Sequence, residues 1–299
     1  MPAAEPHSAP RRDELRRALA DERYLADDGL LTAVELAFTL RRPLLLEGEP
    51  GVGKSSLAGA LAGAVGRSLI RLQCYEGLDA GQALYQWDYP RQLLAARDPR
   101  REDPDAAEDG LYGERYLLER PLLAAVRAGE NAVLLIDEID RADSEFEAFL
   151  LEFLGDFQIT IPERGTVRAT QPPFVVVTSN RTRELHDALK RRCLYHWIAF
   201  PDPAREREIL EAHAPGLEPE AGRALVEAVT AVRGLRLVKP PGTAETIDWA
   251  QGAIALHNGG ETWPAALRRA LGLLLKDNED IAAAREQIAA LHDEEAESA

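Results

Sequence analysis

Basic residues are scarce in this chain relative to acidic ones. Against 51 Asp and Glu stand 35 Lys and Arg, giving a formal net charge of −16 and an isoelectric point near 4.9. That balance argues against a general binder of phosphate backbones, such as a motor that tracks DNA. Otherwise it bears on solubility and not on fold. Cysteine is nearly missing. Cys74 and Cys193 are far apart and carry no ligand spacing, so they read as reduced, buried thiols and not as metal ligands. No apolar run approaches the length of a membrane span. Residues 1–12 contain prolines and arginines but no apolar signal-peptide core. The chain is therefore expected in the cytoplasm, with no membrane insertion. Internal repeats are missing as well.

What is present is enough for one large domain and a smaller one: 299 residues, 45% of them hydrophobic. The chain is organised around Gly48-Glu49-Pro50-Gly51-Val52-Gly53-Lys54-Ser55. This stretch follows the apolar run Pro43 to Leu46 and opens, from Ser56, into an Ala- and Leu-rich helix. Strand, glycine-rich turn and helix with the spacing G-x-x-x-x-G-K-S make a phosphate-binding P-loop. Gly48, Gly51 and Gly53 permit a tight turn whose N–H groups converge on phosphate, and the helix N-terminus adds positive partial charge. Lys54 can reach the β- and γ-phosphates of ATP, and the Ser55 hydroxyl can ligate Mg²⁺. The second decisive run is Ala132 to Ile136 followed by Asp137 and Glu138. A buried strand ending in two adjacent carboxylates places acids at the sheet edge where ligands bind in open α/β folds. Asp137 is read as the Mg²⁺-holding acid, and Glu138, turned the other way, as the residue that polarises the attacking water.

The rest of the chain supports a layered α/β core. Residues 1–11 are expected to be disordered, and helices are expected at 12–21 and 28–40. Ser68 to Gln73 reads as a second strand. The pattern weakens over about 74–113, which reads as an insertion with an acidic, exposed part at 98–110. Helical spacing resumes at Leu117 to Ala128, and another helix is expected from Asp143 to Leu154. Residues 156–172 alternate around Pro162 to Gly165 as a β-hairpin. Phe174 to Asn180 and Tyr195 to Phe200 complete five core strands, with a helix at 183–192 between them. The prolines at 201 and 203 mark a domain boundary, beyond which 202–278 is all helical and 279–299 is an acidic, alanine-rich helix or tail.

This order of motifs resembles an AAA+ ATPase over roughly residues 28–275. The insertion after the second strand and the hairpin before the Asn-bearing strand are similar to the MoxR family. Leu194 to Pro201 and Lys239 to Trp249 look like its CoxD-type branch. The resemblance implies an AAA+ core, 12–201, with a parallel five-stranded sheet and a helical lid. It implies that Asn180 orients the nucleophilic water together with Glu138. It also places Arg191 and Arg192 where the family carries an arginine finger offered to a neighbouring subunit. By themselves these two also read as a basic last helical turn complementing the dipole. The sensor 2 arginine has no clear counterpart: Glu245 or Thr246 occupies its place, with Lys239, Arg233 and Arg236 as other candidates.

The resemblance further implies a ring, a hexamer, that handles a metalloenzyme client such as a molybdenum hydroxylase of the carbon monoxide dehydrogenase type. It implies a bridging partner with a von Willebrand factor A domain; the acidic charge balance, for its part, points to a protein and no nucleic acid as what is handled. Two other classes fit a P-loop: a small-molecule phosphotransferase and a nucleic-acid remodeller. A P-loop phosphotransferase would need an acceptor pocket instead of a helical lid. A nucleic-acid remodeller would need a basic hairpin, yet Glu163 accompanies Arg164 and Arg168 there.

Overall fold

A computed structural model describes residues 10–97 and 110–298, with side chains described as far as residue 289. The expectations for residues 1–9, for 98–109 and for the side chains of 290–299 lie outside the described residues. The strands, in chain order, are β1 Leu44–Gly48, β2 Ser68–Gln73, β3 Tyr85–Trp87, β4 Leu117–Glu119, β5 Ala132–Asp137, β6 Gln158–Ile161, β7 Gly165–Arg168, β8 Phe174–Ser179 and β9 Leu194–Ile198. Five of them form one sheet in the order β2-β5-β8-β1-β9. β5 and β8 are buried along their whole length, as their continuous apolar runs require of strands covered on both faces. β2 is an edge strand, more exposed than the central ones, with Leu72 its one buried residue.

Parallel register decides what meets at one end of the sheet. Gln73 lies opposite Asp137, Ile136 opposite Val177, and Glu47 opposite Ser179. The C-terminal ends of β2, β5, β8 and β1 therefore deliver Gln73, Asp137, Ser179 and Glu47 to a common edge, where open α/β sheets bind ligands.

The described chain divides into two compact units. One consists of Ala26–Glu47, Ser55–Trp197 and the N-terminal helix Arg12–Asp21. Its core includes Leu45, Leu134, Ile136, Val175 and Val177 of the sheet and Phe146, Leu150 and Phe153 of the helix Ser144–Asp156. The insertion contributes to this same core. Its residues Ala83 and Trp87 are buried there, as is Tyr116 just past it, and its strand β3 pairs antiparallel with β4 beyond it. The helix expected from Leu117 begins instead at Pro121, because Leu117 to Glu119 are taken by that pairing. Proline suits a first helical turn, where its missing N–H has no partner to lose. Likewise the helix expected at 183–192 is confined to Asp187–Arg192.

The other unit joins Ile198–Ala299 to the short pieces Arg23–Leu25 and Gly48–Lys54. Its core is helical: Leu225, Val229, Trp249, Ala253, Leu267, Leu271 and Leu274 are buried together. The final helix, Asn278–Ser298, adds Ala284 and Ile288 to this core, so its first turns are part of the packed helical body. The glycine-rich turn Gly48–Lys54 clusters with the helices for a specific reason. The helix Thr243–Asn258 begins against it, Ala244 N donating to Gly51 O at 3.0 Å.

Candidate functional site

The α/β unit gathers oxygen donors at the end of β5. Asp137 is 1% exposed. Its Oδ1 accepts from Ser55 Oγ at 2.6 Å and from Thr178 Oγ1 at 2.5 Å, and its Oδ2 accepts from Arg71 Nη2 at 2.5 Å. Glu138 follows in the left-handed region, φ 54°, a conformation that costs a non-glycine residue about 1 kcal/mol or more. Its carboxylate is held by side chains other than those that donate to the Asp137 carboxylate. Glu138 Oε1 accepts from Asn180 Nδ2 at 3.3 Å, and Oε2 accepts from Gln73 Nε2 at 3.1 Å and pairs with Arg141 at 3.2 Å. Thr178 also fixes the Glu138 backbone, whose N–H donates to Thr178 Oγ1 at 2.9 Å.

Asn180 is held just as closely. Buried Asp140 accepts from Asn180 N at 3.2 Å and from Thr182 N at 2.9 Å, which pins the loop leaving β8. Glu138 and Asn180, read from sequence as a pair, are thus brought within hydrogen-bond reach, as are Ser55 and Asp137. Sequence reasoning missed Arg71, Gln73, Thr178, Asp140 and Thr182. Their only sequence signal is position, near the end of a strand or just past one, which is shared by many uninvolved residues.

In the other unit the turn Gly48–Lys54 is built from backbone. Gly51 and Gly53 have φ of 80° and 92°. Lys54 is buried, and its Nζ donates to Gly48 O at 2.8 Å and Glu49 O at 2.7 Å. Gly242 lies so close that a Cβ there would sit 2.6 Å from Pro50 O and 2.7 Å from Gly51 Cα. Glu245 Oε2 accepts from Gly242 N at 3.1 Å and Glu245 Oε1 pairs with Lys239 at 3.3 Å. Among the other cations near this helix in sequence, Arg233 is committed elsewhere. It forks onto buried Glu206 at 2.6 and 2.8 Å, donates to Pro241 O at 2.9 Å and lies 4.6 Å above the Phe200 ring. Val52 is buried, while Ser56 is exposed at the start of the helix Lys54–Ala64.

The two arginines at 191 and 192 separate. Arg192 donates through Nη1 to Leu151 O, near the end of the helix Ser144–Asp156. Arg191 has its carbonyl bound by Arg42, but its side chain is exposed and makes no hydrogen bond or ion pair among the described residues.

Residues 43–193 match the model of the AAA domain family, dynein-related subfamily. The chain belongs to that family. Among curated relatives it is 28% identical to the protein NorQ of Paracoccus denitrificans over 220 residues, 71% of this chain and 73% of that protein. It is 27% identical to the protein CbbQ of Hydrogenophilus thermoluteolus, covering 68% and 69%. Among solved structures, a variant of Thermotoga maritima RuvB superposes with a TM-score of 0.53 at 19% identity, over 90% of this chain and 75% of that one. The RuvB likeness concerns the fold. This AAA+ protein is an ATPase of the MoxR-like kind, and its family implies ATP binding. Among the described residues no helix is long and apolar enough to cross a membrane.

Proposed function

We propose that this ATPase is a Mg²⁺-dependent remodelling motor that acts as a ring in the maturation of a metalloenzyme. The pair formed by Glu138 and Asn180, 3.3 Å apart, carries the hydrolytic part of the reading. A carboxylate held in place by an amide is suited to take a proton from water that the same amide orients. Ser55 and Asp137 are hard oxygen donors, one hydroxyl and one carboxylate, and fit Mg²⁺, which usually shares its shell with substrate phosphates. Bound there, the ion would neutralise charge on the terminal phosphates. Lys54 exchanges the two carbonyls it now caps for phosphate oxygens, and the N–H groups of the turn 48–54 hold the chain of phosphates.

The contrast between the two arginines favours Arg191 as the finger offered in trans. Arg192 already serves a carbonyl of its own chain, whereas Arg191 is exposed and uncommitted among the described residues. A cation stabilising γ-phosphate transfer from a neighbour requires an assembly, and a hexameric ring supplies one. The client is a molybdenum hydroxylase of the carbon monoxide dehydrogenase type, bridged by a von Willebrand factor A domain protein. The CoxD-like segments at 194–201 and 239–249 support this choice. Access to a buried metal centre needs local opening, which costs up to a domain's whole stability of roughly 5–15 kcal/mol. The test is to delete this chain in a host that makes such a hydroxylase and to purify the enzyme. It should be folded but inactive and short of metal; full activity with full metal content would rule out the client.

A further inference from the structure

The side chain that links both carboxylates lies outside every sequence motif. Arg71 is on β2, at the edge of the sheet, and is 55% exposed while Asp137 is nearly fully buried. Its Nη2 donates both to Asp137 Oδ2 at 2.5 Å and to Gln73 Oε1 at 2.6 Å. Residues 71 and 73 are two apart on one strand, so their side chains share a face. Holding the amide oxygen of Gln73 with a guanidinium leaves its Nε2 to point the other way, and that nitrogen reaches Glu138 Oε2 at 3.1 Å. One exposed cation therefore fixes Asp137 directly and Glu138 through a single amide. With Ser55 and Thr178 on Oδ1 and Arg71 on Oδ2, each Asp137 oxygen already has a donor.

We propose that Arg71 is a positioning residue that holds Asp137 and Glu138 in a resting arrangement and competes with the divalent cation for the Asp137 carboxylate. This rests on the reading of Asp137 as a cation-holding residue. A guanidinium and a divalent ion repel each other when both face one carboxylate. Arg71 is the partner that can leave, since an ion pair with one arm in water holds its arginine weakly. When it swings into solvent, Gln73 loses the contact that set its amide, and the Gln73 hold on Glu138 loosens in the same movement, leaving Asn180 and Arg141 on that carboxylate. Cation binding and the Gln73 contact to the water-polarising acid are thereby coupled through one side chain.

The experiment is a titration of the full chain, loaded with ADP, with Mn²⁺ followed by electron paramagnetic resonance. Arg71→Gln should bind Mn²⁺ on the order of tenfold more tightly than wild type, because one repelling charge is gone. Arg71→Lys, which keeps the charge, should stay within about threefold of wild type. Gln73→Ala, which cuts only the branch to Glu138, should stay within about twofold. ADP affinity without any divalent ion should be the same in all of them, a readout that a loss of folding would disturb. If Arg71→Gln fails to melt cooperatively, Arg71→Met keeps the aliphatic stem and carries the same expectation. Asp137→Asn separates the two levels of inference: it should weaken Mn²⁺ binding at least about tenfold. If it does so while removal of the Arg71 charge leaves affinity unchanged or weaker, the competition is disproved and the site reading stands. If Asp137→Asn has no effect, the site reading itself fails.

Discussion

The carboxylate cluster and the glycine-rich turn at 48–54 are built by opposite means. At the end of β5, Asp137 and Glu138 are positioned by side chains from other elements: Ser55, Thr178, Arg71, Gln73 and Asn180. In the turn Gly48–Lys54 the positioning is done by backbone against backbone, with Gly242 packed on Pro50 and Gly51. A site made by side chains fails when an atom is removed, and one made by bare backbone fails when an atom is added. Substitutions that reverse this order would break the distinction.

The largest effect is expected from Glu138→Gln. The amide keeps the shape and can still meet Asn180, but it cannot accept the proton of the attacking water. Hydrolysis should fall by about 10²–10⁴, with ATP binding retained. Turnover measured beside nucleotide affinity gives the answer, and unchanged hydrolysis would mean that Glu138 is only a partner of Arg141.

Next come the two arginines. Arg191→Ala should lower turnover steeply without changing the melting temperature, and Arg192→Ala should do the reverse. Losing a charge-assisted bond to the Leu151 carbonyl is worth about 1–3 kcal/mol at most, less for so exposed a side chain. Lys54→Ala should lose ATP affinity by about 100-fold or more, the value of two charged hydrogen bonds to phosphate. Mixing Arg191→Ala with Lys54→Ala should then restore part of the activity, because an intact turn in one subunit meets an intact arginine in the next. No rescue, with activity independent of protein concentration, would point to a monomeric enzyme.

These predictions also show how much of the site the sequence revealed. The turn 48–55 was legible because a tight phosphate cradle needs glycine, lysine and serine at fixed offsets along one segment. Asp137 and Glu138 were legible because a wholly apolar strand that ends in two acids has few other uses. Arg71 and Gln73 were not legible. Their importance depends on β2 lying beside β5, an adjacency set by a crossover and not by local pattern. The pairing of β3 with β4 was hidden for the same reason, since their partners, Gln86 and Leu118 among them, lie 30 to 34 positions apart. Pro121, by contrast, was a signal in plain view: it marks a first helical turn, and the expected helix at Leu117 overran it. The need for glycine at 242 came from a close approach between segments far apart in the chain, which no single-sequence pattern carries.

A smaller effect tests the backbone half of the comparison. Gly242→Ala would press a methyl group onto Pro50 O and Gly51 Cα, both backbone atoms that cannot rotate away. Overpacking of this kind costs about 1–3 kcal/mol, so the melting temperature should fall and ATP affinity with it. Gly59→Ala is the matched control. It lies within the helix Lys54–Ala64 and its Cβ would meet nothing within 4 Å. Replacing glycine inside a helix should stabilise the protein by roughly 0.5–1 kcal/mol. Equal melting shifts in the two variants would show that the approach at Gly242 is not a constraint.

The smallest effect reads the charge of the carboxylate cluster through a neighbour. Cys74 follows β2, and its N–H donates to Asp137 O at 2.8 Å. Burial pushes its thiol up to about 12, helped in turn by the charges of Asp137, Asp140 and Glu138. Cys193 is also raised to about 12 by burial, but there the charge of Arg42 acts in the opposite direction. Both thiols therefore stay protonated in the folded chain where an unfolded one would begin to ionise, near pH 9. The sign follows: each contributes stability that is intact below pH 9 and declines as pH rises from there toward 12, by about 1.4 kcal/mol per unit at most. Since the thiolate is the nucleophile, neither should be alkylated at pH 8.5 until the protein unfolds. The comparison sharpens with charge-removing variants scored by mass spectrometry at pH 10. Asp137→Asn should speed alkylation of Cys74, Glu138→Gln should speed it less, and Cys193 should ignore both. Equal acceleration at the two cysteines would mean that the variants loosen the whole α/β unit, not that they lift a local field from one thiol.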